Sequence, residues 1–521
     1  MKKNILIKGA LTILSASIIT RILGFVFRIY IAEKLGAEGM GLYQLITSLY
    51  MLVVTFATSG ISLAVSCMIA ENIATNKYGC SKSVLKISIV WALSVSIIVS
   101  VILFIFSIPI STHILRDNRT FYSILILAPS LPFMSVSCCI KGYFYAMRKS
   151  LHPSNAIVIE QIIKMIFTIG LISLNLNKND AYSCAIVSFG MTIGEISSCI
   201  YMGIVYYKSK KSIKNQYTYS KKIFSNILKI SIPIQTSSTL NSSLRLAENI
   251  LIIEGLKFFT HGDSSAATST YGVIKGMALP LLLFPTSFLQ AIITVLIPEL
   301  SGANAGGKEK SIRKACEKSL QLTLIMGIYI TAIFLIFPQE ISNLFYSNPN
   351  VSPMIKNLCI LCPLMYLEMV CVGILNAIGE QVASMKYKII DSITRLVLIW
   401  FLVPKGGVNA FLIIMIISNL FTSLLNLYHL LKVTCLPLDL NKWVIKPTIS
   451  ILLSSCVSIF FKNQLSKLFP NWITIFSLGL IIMVIYIVLL FSFNCIGNKE
   501  ICFIKTCFKF KNKTNRSKRN N

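Results

Sequence analysis

The sequence predicts an all-α polytopic membrane protein of about fourteen transmembrane helices, set out as two parallel six-helix lobes with two further helices at the C-terminal end. Three observations carry this expectation. Of 521 residues, 55% are hydrophobic and 13% charged, and a mean hydropathy of +0.74 is too apolar for a soluble domain of this length. Apolar stretches of roughly 20 residues, enough to cross a bilayer core, recur along the whole chain. The two halves also match each other at a near-constant offset in several separate places, as a duplicated architecture would.

The first span, 9–32, follows the basic start Met1-Lys2-Lys3 and runs past Arg21 with no small-residue cleavage site, so it reads as a retained helix. Spans two and three follow at 41–69 and 87–108. The fourth, 121–146, contains Pro129 and Pro132, which remove backbone hydrogen bonds and permit a bend. Spans five and six, 153–175 and 182–206, complete a first lobe, 1–215, and a basic cytoplasmic linker, 216–229, leads to the second. That lobe, 230–432, holds spans at 230–254, 269–298, 319–338, 354–378, 384–403 and 408–431, with Pro233, Pro280, Pro285 and Pro363 inside them. Spans thirteen and fourteen, 444–461 and 472–493, occupy an added segment, 433–493, and a basic tail, 494–521, follows.

The repeat is explicit in residues. Thr58-Ser59 and an apolar run to Glu71 match Thr286-Ser287 and the run to Glu299, while Tyr43 falls on Tyr271. Farther on, Gly142 and Ala146 meet Gly373 and Ala377, and Glu160-x3-Lys164 meets Asp391-x3-Arg395. Six spans per copy give both copies one orientation, so the duplication is parallel, and transporters built this way place substrate between their repeats.

The net charge of +30 raises nucleic acid as a partner, but no aromatic-interleaved recognition pattern accompanies it. With the N-terminus inside, the cytoplasmic connections and termini hold about 33 of the basic residues, the outer connections about 8 and the spans about 8, as the positive-inside rule requires. Both termini are therefore expected in the cytoplasm. The basic segments Lys208 to Lys229, Lys308 to Lys318 and Lys499 to Arg519 are expected to lie against anionic phospholipid of the inner leaflet. The 15 cysteines read as small apolar packing residues and the four histidines are isolated, so no metal or cofactor is expected. A phosphate-cradling G-x-x-x-x-G-K-[ST] loop is missing, so the chain is not expected to hydrolyse nucleotide.

Ionisable residues inside spans cost about 2.5–3.5 kcal/mol each at mid-bilayer and must face protein, water or ligand. Arg21 and Arg28 lie seven apart, on nearly one face of the first span, while Arg245 and Glu248 occupy the seventh and Lys275 the eighth. Arginine's planar fork suits phosphate, so Arg21, Arg28, Arg245 and Lys275 are the candidate diphosphate-binding residues. The competing reading pairs Arg21 and Arg245 with Glu195, Glu248 or Glu368 as a lock, and lets Arg28 snorkel outward near Glu33. Glu195, Glu248 and Glu368 are the candidates for proton or sodium coupling. Glu160 with Lys164, and Asp391 with Arg395, are expected to form structural ion pairs at i, i+4.

Segments in both halves resemble a known family. Ile19-Thr20-Arg21-Ile22-Leu23-Gly24-Phe25 and Gly36-Ala37-Glu38-Gly39-Met40-Gly41-Leu42-Tyr43-Gln44 are similar to the opening of the stage V sporulation protein B family. Tyr271-Gly272, Gly276-Met277-Ala278-Leu279-Pro280 and Pro285-Thr286 through Ile297-Pro298-Glu299-Leu300 resemble its eighth span. That family sits in the polysaccharide-exporter branch of the multidrug/oligosaccharidyl-lipid/polysaccharide (MOP) flippase superfamily. The resemblance, over roughly 5–495, implies a MATE-like, lipid II flippase-like fold in a bacterial cytoplasmic membrane. It implies a role in spore-cortex peptidoglycan, by flipping an undecaprenyl-diphosphate-linked saccharide, with cell-wall synthesis proteins as possible partners. Relatives carry a basic residue in the Arg21 setting and a second soon after; here the second, Arg28, stands one residue farther along. Where the family has Gly-Ile-Pro in the second span this chain has Gly60-Ile61-Ser62, which makes a softer bend.

Three other functions compete. A cation-coupled multidrug exporter would recognise its cargo with acids and aromatics, against the basic surplus here. A membrane-embedded glycosyltransferase or polymerase needs a catalytic acid on a sizeable outer loop, for which only Glu254 to Asp263 is a mild candidate. A cell-wall scaffold acting through the basic tail predicts that neutralising the buried cations is harmless. Transport rather than enzymatic catalysis is the expectation.

Overall fold

The computed structural model describes residues 2–75, 78–174, 179–209, 221–468 and 471–495. Part of the basic linker, 216–220, and nearly all of the basic tail lie outside the described residues. The described residues are helical, with no strand among them. All fourteen spans expected from the sequence fall on helices.

The chain divides into two compact units, Met1–Gly276 and Met277–Asn521. In the first, α1 (Lys2–Thr58) carries spans one and two, which meet at Gly36 with φ 69° and ψ −170°. Only glycine adopts that backbone without a Cβ penalty, and it turns one long helix into two limbs. α2 (Ile61–Ala74) prolongs the second limb, and α3 (Tyr78–Ile105) is span three. After α4 (Ser107–Pro109) and two short non-α turns, α5 (Phe121–Leu127) and α6 (Ser130–Ala146) form span four, bent by 45°. Pro129, between them, accounts for the bend. Spans five and six are α7 (Leu151–Leu174) and α8 (Asp180–Ser209); α9 (Lys221–Phe259) and α10 (Ser264–Tyr271) close the unit, and a π-helical stretch (Gly272–Ala278) continues α10.

The core of this unit joins α2, α3, α6, α7, α8 and α9 through Ile61, Leu85, Tyr143, Ala156, Met202 and Ile227, all buried. α10 presses closely on α1. A Cβ at Gly272 would lie 1.9 Å from the Ala37 carbonyl oxygen, so only a residue without a side chain fits.

The second unit opens with α11 (Leu279–Leu283) and α12 (Thr286–Ala305), then α13 (Glu309–Ile336), α14 (Pro338–Phe345), α15 (Val351–Leu358) and α16 (Leu361–Ile378). α17 (Gln381–Thr434) holds spans eleven and twelve, broken at Gly407 (φ 55°) just after Pro404. α18 (Lys446–Leu468) and α19 (Asn471–Ser492) are spans thirteen and fourteen. They pack on α13: Tyr329 Oη donates to the Gly479 carbonyl at 2.9 Å, and the Tyr486 ring stacks on that of Tyr329 with centroids 6.1 Å apart.

Eight described helices are long and apolar enough to cross a membrane, nine if α5 and α6 count as one. Two of these, Ser15–Ala74 and Gln381–Thr434, have 60 and 54 residues. At 1.5 Å per residue each is far longer than one crossing of an approximately 30 Å core and must traverse it twice. Span seven falls short of that test because α9 carries the polar run Gln235–Ser243, and span eight is divided among α10, the π-helical stretch, α11 and α12. Cys359 and Cys362 form a C-x-x-C spacing; both are buried free thiols at the break between α15 and α16, packed as the small apolar residues the sequence suggests.

Candidate functional site

The limbs of α1 come close enough at the Gly36 turn for Arg28 Nη2 to donate to Gln44 Oε1 at 2.9 Å. Arg28 is thus held inside the unit by a neutral acceptor, not released to the interface near Glu33. Four residues along, Ser48 Oγ accepts from Asn249 Nδ2 of α9 at 2.6 Å. Next to Asn249, Glu248 receives Lys275 Nζ at 2.8 Å, with side chains 8% and 17% exposed. The π-helical stretch from Gly272 inserts an extra residue per turn, which re-aims Lys275. A polar seam so runs from α1 to α9 and the end of α10.

The structure changes the reading of the cations. Lys275, expected at the diphosphate, is engaged by Glu248. Arg21 is half-buried on the first limb and Arg245 is exposed on α9. Among the described residues no carboxylate lies within ion-pair distance of Arg21, Arg28 or Arg245. The proposed lock is not the arrangement found: Glu248 takes Lys275, Glu368 takes Lys388 at 3.3 Å, and Glu195 Oε2 has no hydrogen-bond partner among the described residues. Guanidinium groups without an internal counter-charge can still receive a bidentate anion.

A second cluster joins α6, α7 and α8. The expected Glu160–Lys164 pair is replaced: Glu160 meets Lys141 of α6 at 3.7 Å, while Lys164 Nζ sits 5.1 Å from the centre of the Phe27 ring. The reason is how α8 crosses α7. A Cβ at Gly194 would lie 2.9 Å from the Glu160 carbonyl oxygen and 3.3 Å from Lys164 Cβ, so the helices touch backbone to backbone there. Lys141 is then within reach of Glu160, and the next residue on α8, Glu195, is 7% exposed. In the other unit, Asp391 and Arg395 bridge within α17, and Ser418 Oγ donates to Asp391 Oδ1.

Sequence reasoning missed three groups. Lys141 carried a signal, as a lysine inside span four. Gln44, Ser48 and Asn249 are uncharged and gave none. The third is a clasp at the opposite end of the unit from the α3 start: Arg119 binds Asp117 at 2.8 Å and also Glu38, Ser265 Oγ donates to Glu38 Oε2 at 2.6 Å, and Arg116 bridges to Glu254 at 2.7 Å. Donating to the Asp117 and Glu38 carboxylates raises the Arg119 pKa above its ordinary value.

Comparison with known proteins gives these findings. The profile of the family described as polysaccharide biosynthesis protein matches residues 6–304, and the MatE profile matches 256–401. Stage V sporulation protein B of Bacillus subtilis (strain 168) is 24% identical over 96% of this chain and 98% of its own. Lipid II flippase MurJ of the same organism is 22% identical over 66% of this chain and 65% of its own. Among solved structures, lipid II flippase MurJ in an inward closed conformation superposes with a TM-score of 0.68 at 18% identity, covering 92% of this chain and 97% of that one. An inward-facing multidrug resistance MATE family transporter of the MOP superfamily gives 0.60 at 14%, covering 82% and 98%. These likenesses share the fold.

Proposed function

Since the chain belongs to the polysaccharide biosynthesis protein family of the MOP flippase superfamily, we propose that it is a flippase for an undecaprenyl-diphosphate-linked saccharide, working by alternating access in a bacterial cytoplasmic membrane. The observation that carries this reading is the state of the arginines: Arg21, Arg28 and Arg245 meet no carboxylate among the described residues. Buried or half-buried cations in a membrane are costly unless something anionic completes them, and a diphosphate does so with geometry matched to the guanidinium fork. The cargo is a peptidoglycan precursor, used for spore cortex, in line with the 24% identity to stage V sporulation protein B. The repeat is read as lobes 1–215 and 230–432 of one orientation, with both termini cytoplasmic, anionic phospholipid at the basic loops and cell-wall synthesis proteins nearby.

The membrane potential can drive export. A diphosphate with about two negative charges gains roughly 2.3 kcal/mol per charge per 100 mV on leaving a negative-inside cell. Glu195 adds a coupling site. Its Oε2 is buried without a hydrogen-bond partner among the described residues, and the carboxylate feels the charges of Glu160, Lys141 and Lys164. An ionised carboxylate there is unmet on one oxygen, and a proton satisfies it; two nearby ammonium groups repel sodium. The test is reconstitution of the full chain in vesicles with a fluorescent polyprenyl-diphosphate saccharide and an impermeant quencher: flipping that depends on Arg21 supports the proposal, and flipping equal to protein-free vesicles overturns it.

A further inference from the structure

Within the first unit, a slot of about 380 Å³ lies between the start of α3 and the start of α9. Ser83, Lys86, Val90, Trp91, Ser94 and Phe224 line it. The Trp91 and Phe224 rings meet edge to face across it, with centroids 5.3 Å apart. None of this belongs to the arginine site described above.

The slot has a direction. At one end stand the exposed Lys86 and the Ser83 hydroxyl, which is 4% exposed and has no hydrogen-bond partner among the described residues. From Ser83 to Ser94 the helix rises roughly 16 Å at 1.5 Å per residue, and the walls become apolar along that path. Ser94 hides its polarity by donating to the Val90 carbonyl at 2.8 Å, and Val90 is 58% exposed beside Trp91. A cation and an unmet donor at the mouth, followed by aliphatic and aromatic walls, match the order of parts in a phospholipid: phosphate, then acyl chain. Among the described residues lining the slot Lys86 is the one that carries a charge, so an anionic head suits it. A soluble anion has no use for the apolar length, and a neutral apolar molecule has none for Lys86.

We infer that this slot is a binding site for an anionic phospholipid, with the phosphate at Lys86 and Ser83 and an acyl chain along Val90, Trp91 and Phe224. In the orientation proposed above, the mouth faces the inner leaflet, where anionic lipid is concentrated; the inference rests on that reading only for the choice of leaflet. The bound lipid bridges the starts of spans three and seven and steadies them in the arrangement seen here.

The test reads binding directly and needs no transport. The full chain is reconstituted in vesicles containing increasing fractions of brominated phosphatidylglycerol or brominated phosphatidylcholine, and tryptophan quenching is followed. Four tryptophans are present, so the Trp91→Phe chain is measured alongside to isolate the Trp91 signal. Half-quenching of Trp91 is expected at about fivefold lower fraction of the anionic lipid, the worth of one basic residue near an anionic surface. Lys86→Gln, an exposed change, is expected to abolish the preference while leaving quenching by the neutral lipid unchanged. Equal quenching by both lipids, no quenching of Trp91, or a preference that survives Lys86→Gln together with Ser83→Ala would overturn the inference. Because vesicles carry the brominated lipid in both leaflets, a chain that flips nothing still gives an answer.

Discussion

Arg21→Gln removes a charge and a planar fork while keeping a polar side chain of moderate length. Arg21 has no carboxylate partner among the described residues, so the folded protein loses no internal ion pair. The change in stability is expected to stay within about 0.5 kcal/mol, as for surface-like substitutions. Ligand binding behaves differently. A charge-assisted hydrogen bond to phosphate is worth about 1.5–3 kcal/mol, and each 1.4 kcal/mol is about tenfold in affinity. Binding of a polyprenyl diphosphate by the purified chain is therefore expected to weaken roughly 10- to 150-fold, with an unchanged melting temperature. Arg21→Lys keeps the charge without the fork and is expected to fall between. The assay is calorimetric titration in detergent or nanodiscs beside a thermal melt of the same preparation. Unaltered affinity in Arg21→Gln would refute the phosphate role, and a large drop in melting temperature would refute the claim that Arg21 has no internal work.

Glu248→Gln has the opposite signature: it leaves Lys275 partly buried without its carboxylate, which costs about 3–5 kcal/mol, and a thermal melt should show most of that recovered in Glu248→Gln with Lys275→Gln. Gly272→Ala drives a methyl group against the Ala37 carbonyl, and the repacking of α10 on α1 should cost about 1–3 kcal/mol, read as a lower midpoint of denaturant unfolding. Glu195→Gln holds the neutral form permanently; flipping in vesicles under an imposed pH gradient should lose its dependence on that gradient, while exchanging sodium for potassium should change nothing in either protein. In the clasp, Glu38→Gln and Arg119→Gln should cost less together than the sum of the two single changes, measured as a double-mutant cycle.

The spans were legible because lipid imposes a demand on composition that few other environments do: each crossing must satisfy its own backbone and present apolar side chains. Proline marked the bend of α5 and α6. Span seven falls below the hydropathy test by content, since α9 spends its length on Gln235, Asn241, Arg245, Glu248 and Asn249, residues of the polar seam or beside it. Ion pairs were legible only where both partners lay on one helix and nothing else competed. Asp391 and Arg395 satisfy that condition. Glu160 and Lys164 have the same spacing, but the close crossing at Gly194 and the approach of Lys141 from another helix outweigh it. Lys275 and Glu248 stand 27 residues apart on different helices, and no local pattern encodes such a meeting. Neither does any pattern distinguish Arg28 at an interface from Arg28 held by Gln44; that depends on how tightly Gly36 turns the chain.

The central claim is that this chain carries a lipid-linked diphosphate saccharide outward through a site built on Arg21. The most direct measurement is how much lipid-linked peptidoglycan precursor can be reached at the outer face of cells whose own flippase is shut off, with and without this chain. The account predicts that outward precursor appears with the chain and disappears with Arg21→Ala at equal membrane expression. Precursor that stays inside despite good expression, or export that Arg21→Ala leaves untouched, would contradict it.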